Sequence, residues 1–171
     1  MATQRSMVTT RLGLLNEVAD SAKQHIDAAP ATVWGTVTDV TRLPEWNAAI
    51  ESVIEDPGPL RPGAHWVVLM HPRGWPRWRS RSTVSEIDGE AHHLSYTTQT
   101  DDGNPSSATW AWRVAPSGAG SEVSVSWRLH PRTLGRRTVI GRMRRSMLVR
   151  EVDASLRALA ALVRREELGP G

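Results

Sequence analysis

Glu151 and Arg144 stand seven residues apart in a segment whose apolar positions recur at helical spacing, so both fall on nearly the same side of it. A carboxylate within an apolar stripe has its charged form disfavoured and becomes able to exchange protons near neutrality. A salt bridge between the two at the helix margin, or with a strand arginine, is the plainer account of the same residues. Tyr96 offers a hydroxyl to a ligand carbonyl or, more commonly, to a backbone acceptor. Ser80, Ser82 and Thr98 add small hydroxyls on what alternation makes the inward side of their strands. Tyr96, Glu151 and Arg144 are therefore the candidate catalytic groups.

Other chemistries find no pattern to support them. His92 and His93 point to opposite faces of a strand, and His65 and His71 are about 20 Å apart in an extended chain. No HExxH pattern or paired carboxylates accompany them, so no metal site and no cofactor are expected. The chain has no cysteine, which excludes disulfides and thiolate ligands. It has no nucleophile elbow and no phosphate-cradling glycine loop. Gly118 and Gly120, in PSGAG, read as a hairpin turn.

RGWPRWRSRS, residues 73–82, interleaves Arg73, Arg77, Arg79 and Arg81 with Trp75 and Trp78, as single-strand nucleic-acid binders do. Alternation separates the two sets: Trp78, Ser80, Ser82 and Val84 share one face of a strand, and Arg77, Arg79, Arg81 and Thr83 share the other. A base-stacking platform needs both sets on one ligand, so no nucleic-acid partner is expected. The formal charge of only +3 agrees, since 21 basic residues sit beside 18 acidic ones. No stretch approaches the ~20 apolar residues of a membrane span, and the first residues lack a signal peptide's apolar run. The arginine-rich GRRTVIGRMRR, 135–145, is needed to cover the sheet. A soluble cytoplasmic protein without stable membrane insertion, monomer or homodimer, is the expectation.

The elements that must position these groups follow from period and punctuation. With 171 residues, 39% of them apolar, the chain suits one compact domain. Residues 1–14 read as a flexible arm and 15–171 as the domain. A strand ends in HIDA, a short helix follows near 31–38 with Pro30 in its first turn, and a second short helical turn opens at Pro44. Period-two segments at 49–55, 65–71, 78–87, 93–99, 107–114 and 122–129, separated by DPGPLRPG, DG, DDGNPS and PSGAG, read as an antiparallel meander. Residues 138–168 contain no proline and predict a helix about 45 Å long. Its stripe comprises Ile140, Met143, Met147, Leu148, Val152, Leu159, Leu162 and Val163, and it would lie across the apolar face of the sheet. The fold class is α+β: a curved antiparallel sheet of about seven strands wrapped around a long C-terminal helix, with two short helices after the first strand.

The segment HIDAAPATVWGTVTDVTRLPEWN, with Trp34, Asp39, Pro44 and Trp46, resembles the opening of the START-like helix-grip superfamily (SRPBCC). LRPGAHWVVLMHP, a Trp-containing strand and the turn at 84–88 resemble its polyketide cyclase/dehydrase-like branch. The resemblance covers residues 24–167. It implies a cavity between the sheet and the helix, and members include lipid carriers, hormone receptors and ring-closing enzymes. The family's aromatic-ring-forming cyclases tend to place a tyrosine after the second short helix and an arginine on the Trp-containing strand. Those positions here fall near Ile50 and Val84, both apolar, which favours binding over bond-making.

On that fold the cavity walls would be Trp66, Val68, Met70, Trp78, Ser80, Ser82, Trp110, Trp112 and Trp127 from the sheet, with Tyr96 among them, and Met143 and Met147 from the helix. Trp34 and Trp46 would lie near one end. For any one indole, ordinary core packing is the commoner account of its presence. The expected activity is binding of a hydrophobic, aromatic or polyketide-like small molecule. The alternative is a cofactor-independent cyclase, aromatase or dehydratase of secondary metabolism using Tyr96, Glu151 or Arg144.

Overall fold

A computed structural model describes residues 4–5, 18–132 and 139–169, and side chains within 19–132 and 146–169. The elements run β1 Gln4–Arg5, β2 Val18–Ile26, α1 Pro30–Thr38, a 3₁₀ turn Val40–Arg42 and α2 Leu43–Trp46. They continue through β3 Ile50–Glu55, β4 His65–Met70, β5 Trp78–Asp88, β6 His93–Thr100, β7 Ser107–Ser117, β8 Gly120–His130 and a long helix, α3, Val139–Glu167. One antiparallel sheet has the order β1-β2-β8-β7-β6-β5-β4-β3. Strands β3 to β8 form the meander, and β2 closes against the last of them. The two-residue β1 extends the sheet beyond the seven expected strands, with Gln4 and Arg5 opposite Lys23 and Ala22. The remainder of the expected arm lies outside the described residues.

Three register shifts bend this sheet. Register shifts interrupt β3 against β4, between Ile50 and Ser52 and again between Val53 and Glu55. A third falls between Val84 and Glu86, where β5 carries an extra residue against β6. Each extra residue kinks its strand and increases the local twist, which curls the sheet around a helix instead of leaving it flat.

The short helices form a corner beneath α3. Pro30 starts α1 at a position where its missing N–H costs nothing, and Val33, Thr36 and Val37 face inward. Asp39 ends α1 and caps the next turn, its carboxylate accepting from the Thr41 N–H at 3.1 Å. Arg42 then reaches both Glu45 and Glu166, tying α2 to the far end of α3. Ser155 makes a second tie: its Oγ accepts the Ala48 N–H at 3.0 Å and donates to the Glu151 carbonyl at 2.7 Å.

Where α3 crosses the sheet, Leu156, Leu159 and Val163 are fully buried, with Leu148, Val152 and Leu162 beside them. Opposite lie Val84, Leu94, Trp112, Val114, Val123 and Val125, forming one continuous core. Each fully buried aliphatic side chain contributes on the order of 2 kcal/mol by leaving water. The other face of the sheet is charged. Arg77 pairs with Glu51 at 2.7 Å, while Arg79 and Arg81 both reach Glu55 and Asp101 at 3.2–3.4 Å. The guanidinium row thus lies on the convex side, matched by carboxylates and turned away from the indoles.

Candidate functional site

The inward face of the sheet is not uniformly packed. Along β5 to β8 it is tight at Val84, Leu94, Trp112, Val114, Val123 and Val125, then loosens towards Trp78, Thr98, Ala108, Trp110 and Leu129, which are half-buried. Met70, opposite Trp78 across β4 and β5, is half-buried too. The first half of α3 reaches the loop that leads into β5, where the Trp75 indole N–H meets the Met147 sulfur.

Register arranges the rings in a row. Tyr96 is opposite Trp110, Trp110 opposite Trp127, and Trp127 opposite Asp20 on β2. Ring centroids are 6.4 Å apart for Tyr96 and Trp110, nearly parallel at 20°, and 5.9 Å for Trp110 and Trp127 at 31°. Trp66 meets Tyr96 edge-on at 5.0 Å. The Trp112 indole N–H donates to the Tyr96 hydroxyl at 3.2 Å. Burial pushes the Tyr96 hydroxyl up to about 12, partly offset by that hydrogen bond, so the phenol stays neutral and retains its own proton for donation.

Of the other candidates, Ser80 and Ser82 are buried on the inward face and already engaged. Ser80 Oγ donates to the Gln99 carbonyl at 3.2 Å, and Ser82 Oγ lies 2.9 Å from Thr98 Oγ1. Trp66 and Val68 are buried in β4. Trp46 packs inside the core, edge-to-face on Trp112 at 5.5 Å. Trp34 stands apart from the row: its ring lies 5.4 Å from that of His92 at a 30° tilt and lines an open cleft of about 400 Å³. That cleft also takes in Asp39, Val40, Asp56, Leu60 and Ile87, and none of the interior indoles. Glu151 is half-buried on the same half of α3 as Met147. The side chains of Arg144 and Met143 lie outside the described residues, and with them the expected Glu151–Arg144 pair.

Sequence reasoning missed two inward polar residues, Asp20 and Gln24, both buried on β2. The strand VADSAKQHI is weak in apolar residues. Counting back from Ile26 in steps of two would have placed Gln24, Ala22 and Asp20 on the core side. The histidines are dispersed: His25 pairs with Asp27, His71 with Glu51, and His130 with Thr109. Among the described residues no three His, Asp or Glu side chains converge, and no helix is long and apolar enough to cross a membrane.

A bulge-curved antiparallel sheet closed around one long helix, with two short helices between first and second long strands, is the helix-grip architecture. The family described as polyketide cyclase / dehydrase and lipid transport matches residues 19–164, and the chain belongs to it. Among solved structures it is similar to Ara h 8.0201, with a TM-score of 0.68 and 17% identity over 86% of this chain and 98% of that one. It is also similar to protein CV1439 from Chromobacterium violaceum, with a TM-score of 0.67 and 20% identity over 86% and 97%. Protein TTHA0849 from Thermus thermophilus gives 0.67 and 19% over 86% and 96%. At these identities the likeness is one of fold. No curated protein matched the chain.

Proposed function

We propose that this chain is a cytoplasmic binding protein for a flat hydrophobic molecule, aromatic or polyketide-like, held between the sheet and the first half of α3. The observation that carries this reading is the partial burial of the inward face towards Trp78, Trp110, Leu129 and Met70, with Met147 meeting Trp75 in the loop between β4 and β5. Rigid indoles supply large contact area at little entropic cost, and methionines adapt to the remainder. Tyr96 supplies a neutral hydrogen-bond donor in the same row. Membership of a family that includes lipid transport supports a carrier role.

The test is titration of intrinsic tryptophan fluorescence with polycyclic aromatic probes. Saturable quenching is expected, with affinity reduced about tenfold by Trp110→Ala. An unchanged spectrum across the panel would refute the reading.

A second reading, a cyclase or dehydratase, is favoured by one observation: the Tyr96 hydroxyl stands in the ring row and accepts from Trp112, which leaves its own proton to donate. It would donate to a substrate carbonyl oxygen as negative charge develops there, while the walls hold the reacting carbons close. Loss of turnover in Tyr96→Phe with binding retained would support it; an unaltered rate would rule out this role for Tyr96.

A further inference from the structure

Asp20 and Trp127 are direct cross-strand partners on β2 and β8, and both side chains enter the inward face. Residues so paired have Cβ atoms about 5 Å apart. Asp20 is 5% exposed and Trp127 3%. Among the described contacts the Asp20 carboxylate accepts one hydrogen bond, from the Ser21 N–H at 2.9 Å to Oδ1. Trp127 Nε1 is buried without a hydrogen-bond partner. The unpartnered donor of Trp127 thus belongs to the residue directly opposite a largely buried carboxylate. A buried N–H is rarely left in this condition unless something outside the chain completes it.

Trp46 offers the useful contrast. Its Nε1 is also without a hydrogen-bond partner, but its ring stands edge-to-face on Trp112 at 77°, a geometry in which π-density can receive an edge hydrogen. Trp127 is tilted by only 31° to Trp110, which gives no such acceptor.

We infer that Asp20 and Trp127 form a hydroxyl-reading subsite of the cavity, and that the bound molecule is an aromatic carrying a phenolic or alcoholic O–H at that end. This rests on the binding reading proposed above. The chemistry selects the group. A hydroxyl donates its proton to a carboxylate and accepts from an indole N–H at once. An ammonium satisfies the carboxylate but has no lone pair for Trp127, and a carbonyl satisfies Trp127 but sets one acceptor against another. Trp110 and then Tyr96 continue the row, so a ring bearing that hydroxyl would lie along them.

The experiment compares 2-naphthol, 2-methoxynaphthalene and naphthalene by fluorescence titration on the full chain, on Asp20→Leu and on Trp127→Phe. In the unaltered protein 2-naphthol should bind about tenfold more tightly than its methyl ether, the worth of a hydrogen bond to a charged acceptor. Asp20→Leu should bring the two within about twofold of each other. Trp127→Phe keeps a ring of similar shape and should narrow the same preference, which supplies the answer should Asp20→Leu fail to fold. Equal binding of 2-naphthol and its ether to the unaltered protein would overturn the subsite, leaving water as the occupant. A preference that survives both substitutions would overturn it as well. Failure of naphthalene itself to bind would instead remove the cavity reading, and the subsite with it.

Discussion

Trp112 donates its indole N–H to the hydroxyl of Tyr96 across the β6–β7 ladder, although the two residues are not register partners. Tyr96 lies opposite Trp110, and Trp112 is opposite Leu94, so the bond runs diagonally along the inward face. It orients the only phenol in the chain and leaves its proton pointing elsewhere.

That arrangement has a consequence for pH. The folded Tyr96 hydroxyl is raised above its ordinary value of 10, to about 12, because burial disfavours phenolate. A raised value means that the unfolded chain gives up its proton first, so the stabilisation is complete below pH 10 and disappears between pH 10 and 12. The amount is on the order of 2 kcal/mol. As Tyr96 is the single tyrosine, the tyrosinate absorbance near 295 nm reports it alone. A midpoint near 12 is expected, and one near 10 would contradict the buried hydroxyl. Urea unfolding of Tyr96→Phe should lack this alkaline limb.

Two glycines should respond in opposite ways to alanine. At Gly120, which opens β8, an added Cβ would meet the Ile26 carbonyl oxygen at 2.3 Å and Asp27 Cα at 3.1 Å, both backbone. Gly120→Ala should therefore lower stability by about 2–3 kcal/mol. Gly35 lies exposed within α1, and a methyl group added there would meet nothing within 4 Å, so Gly35→Ala should raise stability by about 0.5–1 kcal/mol. Urea midpoints moving in the same direction would refute this account of the two sites.

Ser155 links α3 to the corner after α2. Ser155→Ala removes the acceptor for the Ala48 N–H and the donor to the Glu151 carbonyl, and should cost about 1–2 kcal/mol. Hydrogen exchange at the Ala48 amide should accelerate selectively; unchanged protection there would mean that the tie contributes nothing.

The arginine row should matter little to binding. Arg79 and Arg81 are partly exposed and share Glu55 and Asp101 on the convex face. Arg81→Gln should shift Tm by no more than about 3 °C, with the difference shrinking in about 1 M salt. Probe affinity should stay as it was, whereas a large loss would put the ligand on the wrong face.

Much of the architecture was legible because it depends on local pattern. Alternation in WRSRSTV separated Trp78, Ser80 and Ser82 from the arginines, and the structure keeps that separation. Turn residues marked the ends of all six meander strands to within a few residues, and the apolar stripe from Ile140 to Val163, free of proline, marked α3. Alternation fails at the β5 bulge: two-residue counting from Val84 puts Glu86 inward, whereas the irregularity leaves Glu86 exposed and packs Ile87 against the core. Leu156, four residues after Val152 and three before Leu159, belongs to the same stripe by helical spacing and is among the most buried residues, although it was not among the residues named for that stripe.

The sequence by itself determined which faces are apolar, where the strands turn and which family the chain joins, since these follow from neighbours within a few residues. Only the tertiary structure decided which inward residues meet. Asp20 is more than a hundred positions from Trp127, and their pairing exists because β2 closes on β8, a relation that no local period encodes. The same holds for Trp34, whose helical spacing matched the core but whose ring ended beside His92 at an open cleft. Side-chain direction at such positions is set by packing between distant segments, and packing is complete only when the sheet has curved around the helix.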